Sequence, residues 1–111
     1  MVTRQAAARY SASDDRIQQL LHDWHESGRA AFEAQYKALK YDRECQKRAT
    51  DRQKYIALDE GHSGAWLVDR ATGDVYHIKS KYGVPDKSKR LGHIDTVTGE
   101  ELHQYRWWYR R

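Results

Sequence analysis

Several residue types that usually cross-link, break or anchor a small chain are nearly missing here. There is one cysteine, Cys45, which excludes an internal disulfide and suits a reducing compartment. There is one proline, one methionine and one phenylalanine. No apolar run approaches the roughly 18 residues of a membrane span. The opening stretch MVTRQAAARYSASDD lacks the apolar centre of a secretory signal. Together these absences predict a cytoplasmic protein with no membrane association. Catalytic signatures are missing too. There is no phosphate-cradling P-loop, no GxSxG elbow and no Cys-His-Asn set at usable spacing, so the chain is expected not to be an enzyme and to need no cofactor.

What is present is charged and aromatic. Charged residues make up 32% of the 111 and apolar ones 39%, a balance that supports one small globular domain, residues 1–111. The large apolar side chains are mainly eight Tyr and four Trp, which suit half-wet surfaces and binding faces. The net charge of +4 mildly favours acidic partners. Its distribution is uneven: Lys79, Lys81, Lys87, Lys89 and Arg90 crowd a segment whose only acid is Asp86.

In chain order, residues 1–12 read as a basic N-terminal tail. Residues 13–58 read as a helical half. Ser13 resembles an N-cap, with Asp14 and Asp15 in the first turn where the helix dipole favours acids. Ile17, Leu20, Leu21, Trp24, Ala31, Phe32, Gln35, Tyr36 and Leu39 recur at helical spacing. Ser27-Gly28 either breaks this segment or lets a neighbour approach closely; the break is favoured. From Tyr41 to Tyr55 the sequence is helical in propensity but almost wholly charged, as in a helix that bridges solvent or pairs in a homodimer. One helix over 14–56 would run about 64 Å, more than a chain of this size can cover. Gly61 reads as a C-cap, in a loop that ends the helical half.

Residues 64–111 contain two copies of one pattern. LVDRATGDVYHI and HIDTVTGEELHQ share Asp-x-x-Thr-Gly-acid. Each reads as a β-hairpin with Gly at the position needing positive φ. In the first, Ala71-Thr72-Gly73 as the loop pairs Val68 with Tyr76 and Trp66 with Ile78. In the second, Val97-Thr98-Gly99 as the loop pairs Ile94 with Leu102 and His93 with His103. The expected fold is therefore α+β: one or two N-terminal helices packed on an antiparallel sheet of two β-hairpins.

The last strand of that sheet would put Tyr105, Trp107 and Tyr109 on one face and Arg106, Trp108 and Arg110 on the other. Aromatics beside cations on a sheet can stack bases and hold phosphates. They can equally fill a core. The link from Lys79 to Arg90 can be a phosphate-binding loop or a solvated turn. Neither His22/His25 nor His93/His103 has a third ligand at fixed spacing, so no metal site is expected. His93 or His103 beside a lysine could imitate a small nuclease site.

The stretches VYHIKSKYGVP and RLGHIDT resemble segments of small bacteriophage proteins. There, a T-G-x-[V/I]-Y-x-I-K-x-Y-G-V motif precedes a basic loop and a G-x-[I/L]-D-T strand. The matching residues are Thr72, Gly73, Val75, Tyr76, Ile78, Lys79, Tyr82, Gly83, Val84, Gly92, Ile94, Asp95 and Thr96. Ser80-Lys81 stands where those proteins have a single Gly. The resemblance implies a phage or prophage accessory protein acting in the host cytoplasm, with a small antiparallel sheet. It carries no chemistry across. The residues expected to bind are Lys79, Lys81, Lys87, Lys89, Arg90, Arg106, Trp107, Trp108, Tyr109 and Arg110. Their expected partner is nucleic acid; the alternatives are a host protein to be bound and blocked, or a place in a particle.

Overall fold

The first helix, α1 (Asp15–Glu33), carries the core-forming stripe of the N-terminal half. A computed structural model of the chain describes residues 8–33, 37–79 and 83–107. Asp14, not Ser13, is the cap: the Gln18 amide donates to the Asp14 carbonyl at 3.0 Å, which is the first bond of the helix. Ile17, Leu20, Leu21 and Trp24 are buried. The stripe then runs out, because Phe32 is 38% exposed and Leu39 76% exposed. The expected break at Ser27-Gly28 does not occur; α1 passes through it. Gly28 instead allows the close approach weighed beside the break. Tyr41, on α2 (Ala38–Glu44), seats its hydroxyl where a Cβ would stand.

The helical half ends much earlier than residue 58. Lys47–Asp51 is β1 and Tyr55–Glu60 is β2. Pairing overrides the helical propensity of the charged stretch: Ile56, Ala57 and Leu58 are buried, and β1 pairs along them from Lys47↔Glu60 to Asp51↔Ile56. Gly61 does take positive φ, +59°, but in the turn between β2 and β3 (Ser63–Asp69) and not at a helix end. Strands β4 (Asp74–Lys79) and β5 (Val84–His93) complete a five-stranded antiparallel meander, β1-β2-β3-β4-β5. The α+β class holds, with five strands in place of two hairpins.

The hairpin β3–β4 forms one residue out of the expected register. Val68 pairs with Val75, and Trp66 with His77. Asp69 is the cause. Its Oδ1 accepts the Ala71 and Thr72 amides at 2.8 and 3.1 Å, and its carbonyl accepts Gly73 N–H at 2.8 Å, so the loop widens to include Arg70. A one-residue slip exchanges the faces. Val75 joins Trp66, Val68, Ile56 and Leu58 under the helices, while Tyr76 turns to the other face with Ala57 and Leu67. Residues 84–90 of the expected basic link belong to strand β5, and 80–82 lie outside the described residues. The strand bulges between Pro85, opposite Ile78, and Arg90, opposite Tyr76.

The second copy of the repeated pattern is not a hairpin. Thr98 caps a helix, α3 (Gly99–Gln104). Its Oγ1 accepts the Glu101 amide at 3.1 Å, and Glu101 Oε1 accepts the Thr98 amide at 3.0 Å. This reciprocal box needs Thr-x-x-Glu, which the first copy lacks, because Val75 stands where Glu101 does. Ile94, Val97 and Leu102 enter the core. Arg16 bonds the Ile94 carbonyl at 2.8 Å and the Val97 carbonyl at 2.5 Å, tying α1 to this corner. Residues 8–12 lie along the sheet, with Arg9 and Tyr10 amides on the Arg70 carbonyl at 2.7 and 3.1 Å. Among the described residues no helix is long and apolar enough to cross a membrane.

Candidate functional site

At the end of the sheet where β1 begins and β2 ends, charges are buried. Lys47 opens β1 with its side chain only 2% exposed. Its ammonium donates to the Tyr41 hydroxyl at 2.9 Å and to the Cys45 carbonyl at 2.7 Å. It lies 4.6 Å from the Tyr41 ring centre and 5.1 Å from that of Trp24. Glu60, its cross-strand partner, stands 3.3 Å away through Oε2. The other Glu60 oxygen faces Arg106 Nε at 3.3 Å. Burial lowers the Lys47 pKa below the ordinary lysine value, against the pull of Glu60. Burial, with Glu60 second, raises that of the Tyr41 phenol.

A second ring of charge braces this group. His25 contacts Asp42 at 2.7 Å, and Arg29 Nε reaches both Asp42 oxygens at 3.1 Å. The bond to His25, and after it Arg29, holds the Asp42 carboxyl below its usual pKa. The far nitrogen of His25 lies 3.3 Å from Lys47 Nζ.

Above the buried group opens a cleft of about 780 Å³ between the C-terminal part of α1, α2 and the end of α3. Phe32 and Tyr41 stack at 5.0 Å along one wall. Trp107, 47% exposed, forms part of the lining, and the Arg106 guanidinium rests 4.3 Å from its ring centre. His103 and Glu60 supply polar lining. The volume lies in the range of ordinary ligand pockets.

The residues singled out in the sequence divide between two places. Arg106 and Trp107 meet at the cleft, but not on a strand: residues 105–107 form a turn after α3. Arg106 is buried on Glu60 and not displayed to solvent; its carbonyl also contacts His77 Nε2 at 2.9 Å. The cations of β4 and β5 lie elsewhere. Lys87 crosses the sheet face that turns away from the helices, 4.3 Å from the Tyr76 ring centre. Lys89 pairs with Asp86 at 3.8 Å and Arg90 with Asp74 at 2.8 Å. Lys79 is exposed at the end of β4. Lys81, Trp108, Tyr109 and Arg110 lie outside the described residues. The cross-strand pair His93/His103 does not form, since His93 ends β5 against the Thr72 carbonyl at 2.8 Å and His103 is on α3. Among the described residues no three His, Cys, Asp or Glu groups gather as metal ligands.

Sequence reasoning missed Lys47, Glu60, Tyr41 and Phe32 as site residues. One signal was available. The apolar run Tyr55–Leu58 after a turn-forming stretch is the mark of a buried strand, and it would have ended the helical half before Tyr55. No protein-family model, curated protein or solved structure matches the chain. The cleft must be read from its own chemistry.

Proposed function

We propose that the chain is a non-catalytic binding protein that holds a segment of a partner protein in the cleft between α1, α2 and α3. One observation carries this reading. Phe32 and Trp107, two of the large apolar side chains left exposed, line the same cleft over buried polar groups. Aromatic anchors beside an arginine, ringed by polar groups, are the usual makings of an interface hot spot. The resemblance to phage accessory proteins makes a host protein the natural class of partner. The nucleic-acid reading is less well supported, because Arg90, Lys89 and Lys87 are each engaged within the chain.

Affinity purification after nuclease treatment tests the choice. The wild-type chain is expected to retain one stoichiometric protein, and Phe32→Ala or Trp107→Ala to lose it. Recovery of nucleic acid alone, abolished by nuclease and by changing Lys79, Lys87 and Arg90, would reverse the assignment.

A further inference from the structure

Two buried cations converge on one carboxylate beneath the cleft. Glu60 is the carboxylate set against both Lys47 and Arg106, each 3.3 Å from one of its oxygens. The two cationic side chains are 2% and 5% exposed. Asp42 is already engaged by His25 and Arg29. Lys47 has acceptors in Tyr41, Cys45 and Glu60 for its donors. Arg106 differs. Its Nε is buried 3.3 Å from a Glu60 oxygen without a hydrogen bond to it. A guanidinium has five N–H donors in a planar fork that matches a carboxylate. Leaving a buried Nε–H without an acceptor is costly in folding alone.

We propose that Arg106 is the receptor for a carboxylate, supplied by an Asp or Glu side chain of the bound partner segment. The inference rests on the reading of the cleft as the partner-binding site. Trp107 backs the guanidinium and would present it edge-on, while Phe32 would take the apolar residue beside the acid. The cleft favours a carboxylate over a phosphate for a physical reason. Glu60 and Glu100 line it as well, and they repel a dianion more than a single negative charge.

Peptides selected on the intact protein from a random-peptide display library test this. The selected peptides should carry an acid. Replacing that acid by its amide, Asp→Asn or Glu→Gln, should weaken binding about tenfold or more in titration calorimetry. Arg106→Gln should remove the preference for acid over amide. If Arg106→Gln does not fold, Arg106→Lys keeps a charge opposite Glu60 but loses the planar fork, and should shrink the preference. Peptides that bind equally as acid and amide, yet are lost with Phe32→Ala, would overturn the carboxylate and leave the cleft reading standing. Peptides indifferent to Phe32 and Trp107, or no peptides at all, would remove both. Displacement of selected peptides by inorganic phosphate or an oligonucleotide, with no effect from acetate, would overturn the carboxylate in favour of phosphate.

Discussion

Replacing Gly28 by alanine should destabilise the protein, although the same change helps most helices. In mid-helix the substitution alone favours folding by about 1 kcal/mol. Here the new Cβ would enter the space of the Tyr41 hydroxyl, and Tyr41 Cζ would lie only 2.6 Å away. The ring cannot swing off freely, because its oxygen accepts the Lys47 ammonium at 2.9 Å and the residue is buried. Overpacking of this kind costs about 1–3 kcal/mol. Pulling the phenol from a buried ammonium costs about 1.5–3 kcal/mol more, only part of which is realised if the helix shifts instead. After the propensity gain, a net loss of about 2 kcal/mol is expected, which moves the urea midpoint down by roughly 1 M. Tyr41→Phe removes the closer of the two clashing atoms. In that background Gly28→Ala should cost at least about 1 kcal/mol less, a coupling that a double-mutant cycle reads directly. A midpoint that rises on Gly28→Ala, or single effects that simply add, would refute the packing of Tyr41 over Gly28.

Thr98→Ala removes the capping box and should cost about 1 kcal/mol, seen as a fall of about 4 °C in thermal unfolding. An unchanged Tm would mean that α3 does not depend on its cap. Glu60→Gln leaves Lys47 and Arg106 buried without their shared carboxylate and should cost about 3–5 kcal/mol, against less than about 0.5 kcal/mol for the exposed Glu100→Gln; equal losses in denaturant titration would contradict the buried triad. The Asp74 carboxyl is held below its ordinary value of 3.8, chiefly by the Arg90 hydrogen bond. A carboxyl lowered by folding stabilises the protein above that value, and the benefit is lost as pH falls through the folded pKa. NMR titration should show Asp74 moving back up in Arg90→Gln; an unmoved Asp74 would mean that Arg90 is not its partner.

Where side-chain periodicity was strong, the fold could be read from the chain. Ile17, Leu20, Leu21 and Trp24 recur at helical spacing and are buried together. The need for positive φ at Gly61 and Gly73 was legible, and both take it, at +59° and +82°. What surrounds each glycine was less so. Gly61 closes a hairpin because Tyr55–Leu58 is a strand, a fact masked by the charged residues before it. The two Thr-Gly-acid copies diverge on one position. Glu101 completes a cap, and Val75 in its place goes to the core. Shared residues specify little when the next position decides whether the backbone turns into a strand or a helix.

The site was harder to read for a reason built into its chemistry. Sequence patterns mark surfaces well when charge means exposure, and here it does not. Lys47 and Arg106 sit 59 positions apart in the numbering, in stretches that look like solvated charge, yet both are buried on Glu60. The register of β1 with β2 sets Lys47 opposite Glu60, and the turn after α3 brings Arg106 to the same carboxylate. Neither step leaves a local signature. Buried ion clusters of this kind are rarely the cheapest core a fold could have. Two cations on one carboxylate, with the Arg106 Nε left unbonded beneath an aromatic cleft, are the groups that the proposed carboxylate of a partner would meet.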